Sequence, residues 1–154
     1  MSAVVIDSSV VLKWALPEEP LETAAARSFM GRRGLVVPEL FYLEISNILW
    51  KKQRRGTVDV AAADVAMALV EASPLHPIAD RRLWTRALEL AYEVDHPAYD
   101  CAYVAAAEQT QAAAVVTADR RFVRAFESWR AGHVPHRPLV LHVTEALRIL
   151  DDEE

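Results

Sequence analysis

Apolar and polar positions alternate along this chain in two rhythms. Short Val- and Leu-rich runs at 3–6, 35–37, 114–117 and 139–142 have the length of buried strands. A further run at 75–79 contains Pro77 and reads as an edge strand, where a missing N–H is tolerated. Between these runs the apolar residues recur with helical spacing. Helices are predicted over 9–16, stopped by Pro17, and over 20–33, closing at Gly31 and Gly34. Others are predicted over 38–55, closing at Gly56, and over 57–72 with Thr57 as cap. The pattern continues with helices at 80–94, at 98–109 after the His96-Pro97 break, at 119–130 and at 143–150. Strands alternating with helices predict an α/β fold with a parallel sheet. With no linker or repeat, residues 1–150 read as one domain and 151–154 as an acidic tail.

Glu44 breaks this pattern. It lies in the middle of the helical stretch from Pro38 to Trp50, on the same face as Leu40, Phe41 and Ile48. A carboxylate there is costly to desolvate unless a positive group meets it. Asn47, one turn along, can orient a water or a carboxylate. Asp7, Asp100 and Asp119 each stand where an apolar run gives way to a helical one. Singly, each aspartate has an ordinary explanation as a helix cap or first-turn acid. Glu44 has no capping role open to it. Ligands of parallel sheets sit beyond the carboxyl ends of strands, and Asp7 and Asp119 follow strands. Four such acids point to an oxygen-lined pocket for a hard divalent cation, Mg²⁺ or Mn²⁺. Carboxylates brought together repel one another, and a cation removes that penalty. It also polarises a phosphoryl oxygen and lowers the pKa of a bound water.

Composition narrows the choice. Of 154 residues, 53% are hydrophobic and 25% charged, a globular balance. The one cysteine, Cys101, excludes an intrachain disulfide and a Cys-based zinc site, and fits a reducing cytoplasm. The apolar N-terminus is interrupted by Asp7 and Lys13, so no signal peptide and no membrane span are expected. The net charge of −5 argues against nucleic-acid binding through overall charge, but clustered acids and a metal reverse that argument locally. Arg120, Arg121 and Arg124 directly follow Asp119 and are candidates for contact with a phosphate backbone. Trp14, Trp50, Trp84 and Trp129 fall at apolar helical positions and read as core or interface residues. His133, His136 and His142 lack metal-ligand spacing and read as surface or core histidines. No dinucleotide, P-loop or nucleophile-elbow fingerprint occurs.

Four segments, taken in order, resemble the PIN-domain ribonucleases and in particular the VapC toxins of type II toxin–antitoxin pairs. They are the stretch from Val4 through Asp7 to Glu19, the stretch from Pro38 through Glu44 and Asn47 to Leu49, that from Asp95 through Asp100 to Glu108, and that from Val116 through Asp119 to Phe122. The resemblance implies a three-layer sandwich with a twisted parallel sheet flanked by helices, and an endoribonuclease centre holding Mg²⁺ or Mn²⁺. By position, Asp7 and Asp100 are direct metal ligands, and Glu44 and Asp119 complete the pocket directly or through water. Ser9, Asn47 and Thr117 would support the carboxylates or a water. The resemblance further implies an RNA substrate, inhibition by a small VapB-type antitoxin, and a homodimer. Two other readings of the same acids are a non-catalytic binding module and a metal-dependent DNA nuclease or phosphatase.

Overall fold

Four of the five strands are buried along nearly their whole length, and helices pack against them. In the computed structural model, residues 2–131 and 137–152 are described. The strands β1 (Val4–Ile6), β2 (Leu35–Pro38) and β4 (Ala114–Thr117) are buried at every position. β5 (Leu139–His142) is nearly so, and β3 (Leu75–Ile78) is only half-buried. They form one sheet in the order β3-β2-β1-β4-β5, with every pair parallel. Continuous burial of this kind is the mark of a parallel sheet inside helical layers. The central pairings run Val4–Ala114 to Ile6–Val116 on one side of β1 and Val4–Leu35 to Val5–Val36 on the other. Pro77 sits on β3, where its missing N–H meets no further strand.

The helices pack as two groups. α1 (Ser8–Ala15) meets α2 (Pro20–Arg27), α3 (Leu40–Arg54) and α4 (Val60–Ala72), and α8 (Val143–Asp151) joins α2. α5 (Trp84–Val94) packs on α6 (Ala98–Thr110) and α7 (Arg120–Ala131). α6 crosses β1, β2 and β4. Every residue from Cys101 to Ala107 is buried, so α6 is apolar all round, and its alanines let the helix lie close to the sheet. The fold is the α/β sandwich expected from the alternation of strands and helices.

Several boundaries differ from the expectation. α2 stops at Arg27, well before Arg33, where Phe29 turns into the core. Gly31 and Gly34 then adopt positive φ angles of 72° and 76° in the turn that leads to β2. α4 begins at Val60 and is capped by Asp59, whose Oδ1 accepts from Ala62 N at 2.7 Å. Thr57 instead donates to the Lys52 carbonyl at the end of α3. The helix expected over 80–94 is split into a 3-10 turn, Asp80–Arg82, and α5, because Leu83 drops into the core between them. Trp14 and Trp129 are core residues, whereas Trp50 and Trp84 are exposed. Cys101 is buried, and burial pushes its thiol up to about 12. His133 and His136 lie outside the described residues. His142 is buried, and its Nδ1 accepts from Thr144 N at the start of α8.

Candidate active site

The strand order reverses direction between β1 and β4, and that is where an open parallel sheet leaves a crevice at its carboxyl edge. Asp7 stands at this point. Its backbone N–H donates to the Val116 carbonyl at 3.0 Å, extending the β1–β4 pairing by one residue. Asp7 occupies the N-cap position of α1, yet its side chain makes no cap hydrogen bond. The carboxylate is held by hydroxyls. Oδ2 accepts from Ser9 Oγ at 2.6 Å and from Thr117 Oγ1 at 2.7 Å. Oδ1 has a longer contact, 3.4 Å, with Ser8 Oγ. Two strong bonds on one oxygen fix the orientation of the group and leave the other oxygen the better placed to meet a cation.

Ser9 and Thr117 are in turn fixed by the loop that follows β4. Ser9 Oγ accepts from Ala118 N at 3.0 Å, and Thr117 Oγ1 accepts from Asp119 N at 3.0 Å. Asp119 is exposed, and its Oδ1 caps α7 by accepting from Arg121 N at 2.8 Å. The ordinary role considered for Asp119 is therefore real, and it uses one of the two carboxylate oxygens. Arg120, Arg121 and Arg124 are exposed along α7, and among the described residues none of them forms a salt bridge.

Glu44 reaches the site from α3. Its Oε1 accepts a short hydrogen bond from the Tyr103 hydroxyl of α6. Asn47 is exposed on α3, and no hydrogen bond joins it to Glu44 among the described residues. Tyr103 was not legible as a partner, because an aromatic residue in an apolar helix reads as packing; its place one turn after Asp100 was the available signal. His96 was also missed. Its Nε2 lies 2.6 Å from Asp100 Oδ2, and its ring stacks on Phe122. The four-residue spacing from His96 to Asp100 was visible, but the intervening Pro97 made it read as a break.

Electrostatics ties the acids together. The Glu44 carboxyl is pushed up to about 7, first by burial and then by the charges of Asp7 and Asp100, with Tyr103 acting in the opposite sense. Asp7 is raised above the usual range by burial, against its bonds from Ser9 and Thr117, with a further push from Asp119. Asp100 is raised by burial and by Asp7 and Asp119, with His96 pulling the other way. Asp7, Glu44 and Asp100 thus each feel at least one other acid. Among the described residues no three His, Cys, Asp or Glu side chains are drawn together tightly enough to form a closed metal cage. All four acids offer only oxygen, and burial and like charge raise the proton affinity of Asp7, Glu44 and Asp100. Such a donor set fits a hard divalent ion that retains waters between itself and some of its ligands.

Comparison with known proteins bears on the fold. The PIN domain family matches residues 4–127. The chain is similar in fold to a protein from Pyrobaculum aerophilum, PAE2754, known from its crystal structure. The TM-score is 0.68 with 24% identity, covering 98% of this chain and 90% of that one. It is also similar to a toxin–antitoxin complex from Klebsiella pneumoniae, with a TM-score of 0.57 and 12% identity, covering 92% of this chain and 98% of that one. No curated protein matches the sequence. With the family match spanning most of the sequence and the five-stranded parallel sheet beneath it, this chain belongs to the PIN-domain family.

Proposed function

We propose that this protein is a Mg²⁺- or Mn²⁺-dependent endoribonuclease and the toxin of a type II toxin–antitoxin pair of the VapC kind. The nuclease reading is supported by the mutual influence of Asp7, Glu44 and Asp100, each raised by burial and by the charge of another acid, with Asp119 acting on Asp7 and Asp100. Asp7 and Asp100 are assigned as direct ligands, with Glu44 and Asp119 completing the pocket directly or through water. A bound divalent ion would supply Lewis-acid polarisation of a phosphoryl oxygen and a lower pKa for water. Ser9 and Thr117 keep Asp7 in one orientation, and Tyr103 and His96 do the same for Glu44 and Asp100. Arg120, Arg121 and Arg124 are placed to meet the phosphates of an incoming strand. Hydrolysis would leave a 5′-phosphate and a 3′-hydroxyl.

The toxin assignment rests on the four sequence segments that resemble the VapC group, and the Klebsiella pneumoniae complex shares the fold. It carries with it a VapB-type antitoxin, which would lay a cationic or apolar segment over the acidic crevice, and a homodimer. The cytoplasm is the compartment proposed for it. Among the described residues no helix is long and apolar enough to cross a membrane.

The test is a side-by-side assay of the purified protein on RNA, single-stranded DNA and a phosphomonoester, with Mg²⁺ or Mn²⁺ and with excess chelator. Metal-dependent cleavage of RNA that disappears in Asp7→Asn is the expected result. Full activity in the variant or in chelator would overturn the reading. Preference for DNA or for the monoester would reassign the substrate.

A further inference from the structure

The cleft between α1 and α3 continues beyond the acidic centre. Ser9, whose hydroxyl holds Asp7, also lines a cavity of about 210 Å³ with Leu12, Lys13, Glu18, Ile48 and Lys52. Ser9 and Lys13 are one turn apart on α1, and Glu44, Ile48 and Lys52 follow one another at four-residue spacing on α3. Each helix therefore carries a group of the acidic centre at one end of the cleft and a lysine further along. At 1.5 Å per residue, Lys13 lies about 6 Å beyond Ser9 along α1, and Lys52 about 12 Å beyond Glu44 along α3. The spacing suits a strand whose scissile phosphate is at the acids and whose neighbouring phosphate lies between the lysines.

The lysines are held in an unusual way. Lys13 is only 8% exposed, and a buried ammonium needs a compensating anion. Its two contacts, to Glu18 Oε2 and Glu22 Oε2, are both 3.4 Å, beyond the usual range of a direct charged hydrogen bond. The other oxygen of Glu18 pairs closely with Lys52. One carboxylate thus bridges both ammonium groups. Glu18 belongs to the turn between α1 and α2, and its side chain is 49% exposed. Its backbone is anchored to α2 by Glu18 N donating to Thr23 Oγ1 at 3.1 Å. The Glu18 side chain can move out to solvent while the turn stays in place.

We propose that Lys13 and Lys52 form a phosphate subsite for the RNA strand beside the acidic centre, and that Glu18 occupies the position of that phosphate until the strand enters. The proposal rests on the endoribonuclease reading above. In a chain of net charge −5 with an acidic catalytic crevice, two converging ammonium groups offset the repulsion that a polyanion would otherwise meet. A purely structural ion-pair cluster would lose stability on loss of any member, with no effect on RNA affinity.

The experiment measures binding of a short fluorescein-labelled, mixed-sequence single-stranded RNA by anisotropy over a range of salt, in an Asp7→Asn background so that no turnover intervenes. Cleavage by the otherwise unaltered protein is followed in parallel. Glu18→Gln is expected to tighten binding about three- to tenfold, since it removes the competing charge and keeps the side-chain shape. Lys52→Ala is expected to weaken binding about tenfold and to reduce the slope of log affinity against log salt by about 0.7, the value for one phosphate contact on a single strand. Lys52→Arg should recover most of the affinity and slope. Lys13 is left intact because its burial links it to folding. Unchanged affinity in Glu18→Gln together with an unchanged salt slope in Lys52→Ala, in a protein that still cleaves RNA, would overturn the subsite alone. A protein that neither binds nor cleaves RNA would remove the endoribonuclease reading and the subsite with it.

Discussion

Tyr103 donates its phenolic hydroxyl to Oε1 of Glu44, so a buried residue of α6 and an acid of α3 meet at the acidic centre. This bond is the main influence opposing the upward push on the Glu44 carboxyl. Tyr103→Phe should therefore raise the proton affinity of Glu44 further. The expected outcome is weaker Mg²⁺ binding at pH 7, recovered at higher pH, with about 1 kcal/mol lost in folding stability. Mg²⁺ titrations at several pH values, with thermal unfolding in chelator, check both parts.

The pH dependence of the metal-free protein follows from Glu44 with a definite sign. Its ordinary value is 4.5, and in the folded chain it is about 7. Between these values the folded chain holds a proton that the unfolded chain has released. Stability conferred by this group is full below about 4.5, falls as pH rises, and is lost above about 7. The loss should amount to about 1–2 kcal/mol after allowance for solvent screening of a half-buried group. Glu44→Gln should abolish this component, so the check is the difference between the two proteins in urea unfolding across the window. Mg²⁺ should restore the lost stability at pH 7 and above.

Asp7→Asn keeps an oxygen for the Ser9 and Thr117 hydroxyls but removes a buried charge whose ionised form is disfavoured. In chelator the variant should be as stable as the parent or more so. Metal-dependent RNA cleavage should fall by about a hundredfold or more, because the loss of a ligand forfeits several kcal/mol of charge stabilisation. The Mg²⁺-induced rise in thermal midpoint should disappear with it.

His96→Ala removes the imidazole that orients Asp100 across 2.6 Å and leaves the burial of that acid in place. Activity or metal affinity should drop about 10–100-fold, the range typical of groups that orient a ligand. His96→Gln, which retains a donor, should recover part of the loss. Titration of each variant with Mn²⁺ distinguishes weaker binding from slower chemistry.

Much of this was legible from the order of residues alone. The short, mostly apolar runs of β1, β2, β4 and β5 announced a covered parallel sheet, and Pro77 marked its edge. Glu44 stood out because a mid-helix carboxylate on an apolar face has no capping role open to it and is costly to desolvate. Ser9 and Thr117, to which the resemblance pointed, hydrogen-bond to Asp7. What could not be read were partners whose side chains have a common alternative use. Tyr103 looked like packing, and Asn47, one turn along the face of Glu44, is exposed to solvent. The early end of α2 was hidden for a similar reason, since Ser28 and Phe29 are compatible with a helix and only the burial of Phe29 decides against it.

The hydrogen bond from Thr117 to Asp7 joins residues 110 positions apart. β1 is made early but gains its second neighbour only when β4 docks beside it. A nascent chain still short of β4 has Asp7 without its second hydroxyl and without Asp100 or Asp119 held opposite. The centre can be assembled only once the chain through Asp119 has left the ribosome, so synthesis itself delays the onset of any chemistry that depends on it.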